Sequence, residues 1–505
     1  MRSSHRLPAL LIATGAVAAI ALIIPTHAAV SDAQAAQLGG VLTPLGAEVA
    51  GNAEGTISPW NGGLLGAPPC FAGAGSRYCD PFANEQALFT ITSQNLGQYK
   101  DRLSEGQQAM FEQFQDYAMP VYPSRRTASA PPWVYAATRA NASRAELAEN
   151  GEALHDAATG IAFPIPQNGR EVIWNHRTRY RGVALRRWNN QFAVTAAGIV
   201  NAVKFREDVL FNYSQKGAAP DDLDDWLMFA ALVVTRPERL AGTILLLHEP
   251  LDPEEEDPRA WQFNPGQRSL RRATHIGYDN AALAADRLLT NDQFDSFSGA
   301  MDRYDWKLLG KQELFVPYNS YRLHSDQHRY SEILGKHHIE PALTRYELHR
   351  VWVVEARAKP GIVHVYDRRV FFVDEDSWQI VVADLYDRRG ELWRLQETHT
   401  INQYDKLRIA PVAQVVYDLP DRRYLVQGLN NEDPEDQDMD FDAGDFSPGS
   451  VTRRAKVSVQ TVASYSRGSS AISLYASTET ERCDGNRSRQ GWLRPTQRVG
   501  LAPSD

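Results

Sequence analysis

Residues 346–400 read YELHRVWVVEARAKPGIVHVYDRRVFFVDEDSWQIVVADLYDRRGELWRLQETHT. Four apolar segments, 346–356, 362–373, 378–386 and 391–400, are separated by Lys359-Pro360-Gly361, Asp374-Glu375-Asp376-Ser377 and Asp387-Arg388-Arg389-Gly390. Short β-rich runs broken by turn residues predict a β-meander. In a sheet with one wet face, apolar and polar residues alternate. Here both parities are apolar: Leu348, Trp352 and Val354 on one, Val351 and Val353 on the other, then Phe371, Phe372, Trp378, Ile380, Val381 and Val382. Such a sheet must be covered on both faces, by protein throughout or in part by a bound apolar molecule.

The pattern extends in both directions. Strand signals run through Trp174, 192–205, 209–213, 226–234, 240–248, 260–263, 268–272, 306–317, 320–324 and 413–417, with short links between them. Parallel pairing needs helical crossovers, which this stretch lacks, so the strands predict one large antiparallel sheet. A sheet of about a dozen strands curls, and part-way closure around a helix or cavity is the usual outcome. The expected fold is mainly antiparallel β with α: a large curled sheet forming an unclosed β-barrel around helices and a hydrophobic cavity. Helices are predicted over 95–114, with Ser104 as a cap, and over 142–158, behind Ser143.

The first residues carry Arg2, His5 and Arg6, then an apolar run to Ile24 and the small residues Ala28 and Ala29. This order predicts a secretory signal peptide over 1–28, with a retained membrane anchor as the alternative. An extended arm over 29–81 and a helical and loop segment over 82–168 follow. The sheet over 169–430 forms one domain with 42–168. Eight acidic residues between Asn431 and Asp445 open an acidic, then Ser/Arg-rich tail, 431–505, which composition predicts to be disordered. In an oxidising compartment Cys70 and Cys79 would join as a disulfide, two free thiols being the other reading, and Cys483 is left over.

Composition bounds the function. The 505 residues are 23% charged and 43% hydrophobic with a net charge of −9, a globular balance with no basic stripe for nucleic acid. Asp436, Asp438, Asp440 and Asp442 have the spacing of a calcium loop, but Phe441 and Ser447 stand where Gly and Glu are required. His324, His328, His337, His338 and His349 fall within 26 residues without a zinc spacing, so no metal site is expected. Phosphate-binding loops and a nucleophile elbow are missing, and no cofactor or catalytic residue is assigned. The 11 Trp, 20 Tyr and 18 Phe are the remaining clue. The expected lining of an apolar cavity is Trp174, Phe192, Phe211, Trp226, Met228, Leu245, Trp261, Trp306, Trp352, Phe372 and Trp378.

Several blocks carry a family resemblance: residues 42–63, Met119-Pro120-Val121-Tyr122-Pro123, Phe163-Pro164-Ile165-Pro166 with Trp174-Asn175-His176, Phe263-Asn264-Pro265-Gly266-Gln267-Arg268, Asp302 to Lys307, Pro317-Tyr318-Asn319 and 346–397. Over roughly 42–430 the chain resembles a Gram-negative family of unknown function, DUF1329, often labelled outer membrane lipoprotein-sorting protein. The Cys70/Cys79 loop and the part beyond Arg454 depart from its pattern. The resemblance implies the unclosed barrel of the periplasmic lipoprotein carrier LolA and receptor LolB. It also implies association with exporters of the resistance-nodulation-division type and outer-membrane barrels.

The leading expectation is a non-enzymatic periplasmic carrier or accessory that binds a lipid or lipoprotein acyl chain for transport to or across the outer membrane, with association with that membrane as a further expectation. The rival is an interaction module of an exporter or outer-membrane barrel system with a self-filled core. A third is a hydrolase of an apolar substrate with His176 or His349 as base.

Overall fold

The computed structural model describes residues 30–453 except 254, 257, 268 and 274–278. The stretch 1–28 predicted as a signal peptide, Cys483 and the tail beyond 453 lie outside the described residues. The N-terminal arm opens on one capped turn, α1 (Asp32–Ala35), and is otherwise coil up to β1 (Phe89–Ile91). Side chains of the body hold it by its carbonyls: Trp378 Nε1 donates to Leu45 at 2.8 Å, Arg126 to Glu48 at 2.7 Å and Arg350 to Ala50 at 2.6 Å. Within the arm, Cys70 and Cys79 form a disulfide.

Ser104 and Gln107 satisfy each other's backbone N–H groups and so start α2 (Glu105–Gln113). After β2 (Met119–Tyr122), Pro131-Pro132 opens α3 (Pro132–Ala142), where the missing N–H costs nothing. The helix predicted over 142–158 is not formed. The chain makes a small hairpin instead, β3 (Glu146–Leu147) and β4 (Leu154–His155). Gly151 lies at φ 75° between them, packed so closely on Arg170 that an added Cβ would meet its Cδ at 2.3 Å. Asn168 then accepts from the Glu171 N–H and caps α4 (Gly169–Thr178), a helix buried on nearly every side. Trp174 therefore sits on a helix, not on the expected strand.

The strands follow in turn: β5 (Ala184–Trp188), β6 (Asn190–Val194), β7 (Val200–Leu210), β8 (Trp226–Arg236), β9 (Ile244–Pro250), β10 (Arg259–Asn264) and β11 (Ser269–Arg272). After β12 (Tyr304–Pro317), the single turn α5 (Tyr321–His324) replaces the strand predicted at 320–324, and a second turn, α6 (Tyr330–Ile333), follows. The meander is β13 (Tyr346–Ala358), β14 (Arg368–Asp374), β15 (Ile380–Tyr386) and β16 (Leu392–Gln403), and then β17 (Arg408–Asp418), β18 (Arg423–Leu429) and β19 (Gln437–Asp438) complete the sheet. The second meander strand starts six residues later than predicted, leaving Ile362 and Val363 exposed in the turn.

Consecutive strands from β12 to β18 pair antiparallel, β18 pairs with β6, and β6 to β11 continue the row through β7, β8, β9 and β10. No pairing among the described residues joins β11 to β12, so the curled sheet stays open. It is mixed, since β2 runs parallel to the start of β13 with Val121 opposite Tyr346.

Protein covers both faces of the meander. Val351, Val353, Val370, Phe372 and Leu395 share a core with Met110 and Phe111 of α2. Val354, Ala356, Phe371, Val373 and Ala383 share the opposite core with Val172, Ile173 and Trp174 of α4. The two faces of the meander thus meet two helices, although Leu348, of the same parity as Val354, joins the α2 core.

The stretch 431–453 is folded, contrary to the tail expectation. β19 pairs with β5, Glu435 is buried against Arg77 at 3.1 Å and His324 at 2.9 Å, and Phe446 packs fully buried beside Phe229. Charge density suggested solvation, but Arg77 of the arm, Lys204 of β7 and Arg408 of β17 pair with these carboxylates. The apolar residues Met439, Phe441, Phe446 and Val451, spaced among the acids, supply the contact.

Candidate functional site

Strands β7, β8 and β9 have two apolar faces that serve different interiors. On β8, Phe229, Ala231 and Val233 join Ile244, Leu246 and Phe446 in one core. Ala230 and Leu232 point the other way, with Val209 and Leu245. This second face forms one wall of a cavity of about 390 Å³, together with Phe211, Met228, Leu247 and Phe294. The period-2 alternation of strands creates that wall.

The facing side is polar. Gln427 Nε2 donates to Gln414 Oε1 across β17 and β18 at 2.7 Å, and Asn430 and Asp436 extend this wall. Burial, reinforced by the neighbouring Glu435 carboxylate, pushes Asp436 up to about 6. Arginines form the rim. Arg177 pairs with Glu249 at 2.8 Å, and Arg187 pairs with Glu207 directly opposite it on β7. Asp295 binds Arg179 through both oxygens at 2.6 and 2.7 Å and also pairs with Arg181. Burial opposes the charge on Asp295, but these guanidinium groups prevail and hold its carboxyl well below the usual range. The cavity is amphipathic: one apolar sheet face opposite amides and internally compensated charges.

Of the eleven residues expected to line a cavity, Phe211, Met228 and Leu245 do so. The other eight do not. Trp174 and Trp378 are wholly buried in the α4 core, with Trp306 and Trp352 packed against it. Phe192 and Phe372 lie in the α2 core, and Trp226 and Trp261 flank the core on the reverse side of β8. The tryptophans expected in the lining go to the neighbouring cores, and the aromatics that do border the cavity are Trp188, Phe211, Phe294 and Phe297. Arg181, Asp295, Gln414 and Gln427 were missed. A lone glutamine inside an apolar strand, as in Ala413-Gln414-Val415 and Val426-Gln427, is the signal that marks the polar wall.

The hydrolase bases do not reach this cavity. His176 accepts from the Ile380 N–H at 3.2 Å and its Nε2 lies 2.7 Å from the Asp295 carbonyl. Burial and the nearby Arg179 push His176 down to about 3, so the ring is neutral and structural. His349 is not among the lining residues and sits beside Glu347. The histidines of the 324–349 stretch go to different partners: His324 to Glu435, His337 to the Phe114 ring, His338 to the Ile339 carbonyl and His349 to Glu347. No described helix is long and apolar enough to cross a membrane.

Fold and cavity define an open, mostly antiparallel curled sheet with an internal amphipathic pocket. The chain belongs to the family Protein of unknown function (DUF1329), which matches residues 90–452. It is 46% identical over 450 residues to the uncharacterized protein PA3922 of Pseudomonas aeruginosa, spanning 88% of this chain and 98% of that one. Among solved structures it is similar to a domain described as an outer membrane lipoprotein-sorting protein from Vibrio parahaemolyticus, with a TM-score of 0.39 and 12% identity over 56% of this chain and 97% of that one. A DUF1329 family protein from Desulfovibrio piger matches with a TM-score of 0.37 and 15% identity over 54% and 92%. A LolA superfamily protein from Nitrosomonas europaea matches with a TM-score of 0.34 and 12% identity over 56% and 99%.

Proposed function

We propose that this protein is a non-enzymatic periplasmic carrier or accessory that holds an apolar chain, from a lipid or a lipoprotein, in the cavity between β7–β9 and β17–β18. The observation that carries the reading is the continuous wall of Val209, Phe211, Met228, Ala230, Leu232, Leu245 and Leu247 on a cavity of about 390 Å³. That volume lies within the range of about 300–1,000 Å³ common to small-molecule sites. Each methylene moved from water onto such a wall contributes about 0.8 kcal/mol, less the cost of association. The polar wall would orient a head group, and transfer toward the outer membrane is the role such a carrier serves.

Lipid extraction of the purified protein followed by mass spectrometry, with displacement by a fluorescent fatty acid, tests the reading. Co-purifying lipid or saturable uptake of the probe supports it. A folded protein that carries no lipid and takes up no probe overturns it in favour of an interaction module with a self-filled core.

A further inference from the structure

A second buried polar site lies where the turn after β14 meets β13. We propose that His349, Asp374 and Asp376 form a site for a divalent first-row transition metal of the zinc class. One ligand atom from each lies within 4.8 Å of the others, and all three residues are buried. The His349 Nδ1 to Asp374 Oδ1 distance is 3.6 Å. Two ligand atoms about 2.1 Å from a tetrahedral ion stand roughly 3.4 Å apart, so this edge needs almost no movement.

The surroundings are arranged as around a metal. Asp374 Oδ2 accepts from the Ser377 N–H at 2.9 Å, the Ser377 hydroxyl at 2.5 Å and the Tyr318 hydroxyl at 3.2 Å. Its other oxygen, Oδ1, is buried, accepts no hydrogen bond and is aimed at His349. An unmatched buried acceptor of this kind calls for a cation. Glu375 faces Arg126, Arg350 and Lys311, and Asp376 faces Arg126, but no Lys or Arg among the described residues forms an ion pair with Asp374.

His349 Nε2 lies 3.2 Å from Glu347 Oε2, the carboxylate–histidine arrangement that fixes the tautomer of a metal ligand and frees the other nitrogen. Glu347 is held in turn by Arg345 at 2.6 Å and Asn319 at 2.9 Å, and the Tyr318 ring stacks on the imidazole at 4.0 Å. Asp376 takes a forked pair of bonds from Arg126 at 2.7 and 2.8 Å. A carboxylate has about four acceptor sites, so lone pairs remain for an ion. One nitrogen and two carboxylate ligands suit zinc, with a fourth position for water.

Because the site is buried, the ion enters as the chain folds. The experiment is to unfold and refold the purified full chain with Zn²⁺ or Co²⁺ against a chelator control. Metal retained after desalting is measured, with the visible ligand-field spectrum for Co²⁺. The expected result is one ion per chain, a Co²⁺ spectrum of low coordination number, and loss of both in His349→Ala and in the isosteric Asp374→Asn. The spectrum is read on the unaltered chain, so it decides even if a variant misfolds. Metal content equal to the chelator control, or retention unchanged in both folded variants, overturns the proposal and leaves a proton on His349 as the cation.

Discussion

Arg181 holds its guanidinium 4.2 Å from the centre of the Phe211 ring while pairing with Asp295, so one contact joins the apolar wall of the cavity to its charged rim. The ring covers a cation that burial would otherwise penalise: burial pulls Arg181 down to about 10 despite Asp295. If an acyl chain occupies the cavity, filling it should exclude the ligand. Ala230→Trp, directed from β8 into the gap, is expected to lower affinity for a fluorescent fatty acid at least tenfold. Overpacking would cost about 1–3 kcal/mol of stability. Probe titration beside a urea melt separates the two effects, and unchanged affinity in a folded variant would place the ligand elsewhere.

Asp295 carries the compensation of two guanidinium groups, Arg179 and Arg181. Asp295→Asn preserves shape but leaves both cations in a low-dielectric site. Breaking a buried pair from one side costs on the order of 3–5 kcal/mol. Urea unfolding should show that loss, while replacement of the exposed Arg389, whose partner is Asp387, should stay within about 0.5 kcal/mol.

Glu397 on β16 accepts from Gln107 and from Tyr346, at 2.9 Å each, with no cation beside it. Burial pushes its carboxyl from 4.5 up to about 7. The folded state therefore holds the proton more tightly than the unfolded chain. This contribution is complete below about pH 4.5 and is lost as pH rises through about 7. At 1.36 kcal/mol per pH unit the loss is on the order of 3 kcal/mol. Glu397→Gln should remove that slope: the difference in unfolding free energy between the two chains should shift in favour of the variant between pH 4.5 and 7. Parallel stability curves across that window would refute the assignment.

Phe446 fills the layer behind β8 against Phe229 and Phe441. Phe446→Ala is expected to cost about 3–5 kcal/mol through the cavity it leaves. A surface tail would show no change, so calorimetry of this variant checks directly that 431–453 belongs to the body.

The meander was readable because each of its strands is bounded by Gly or Asp turns and is apolar on both parities. Two-sided burial follows from that pattern alone. Less readable were helix starts governed by capping chemistry: Asn168 with Glu171 marks α4, yet Trp174 pulled the reading toward strand. Aromatic bulk located core layers more than this cavity: Trp174 and Trp378 are wholly buried in the α4 core. The gap is left by Ala230 and Leu232, which look like any other core residues. The charged rim depends on pairs such as Arg179 with Asp295, 116 residues apart, and no local window contains both partners.

The pairing of β6 with β18 sets Phe192 opposite Val426 and joins the two runs of the sheet. That seam closes a loop of more than 200 residues, and loop closure is entropically opposed before any contact repays it. A chain that ends before β18 has the Val209–Leu245 wall but lacks Gln427, Gly428 and Asn430 on the polar side. The pocket therefore depends on both ends of the sheet: the apolar wall of β7–β9 acquires its polar counterpart only when β17 and β18 have joined β6.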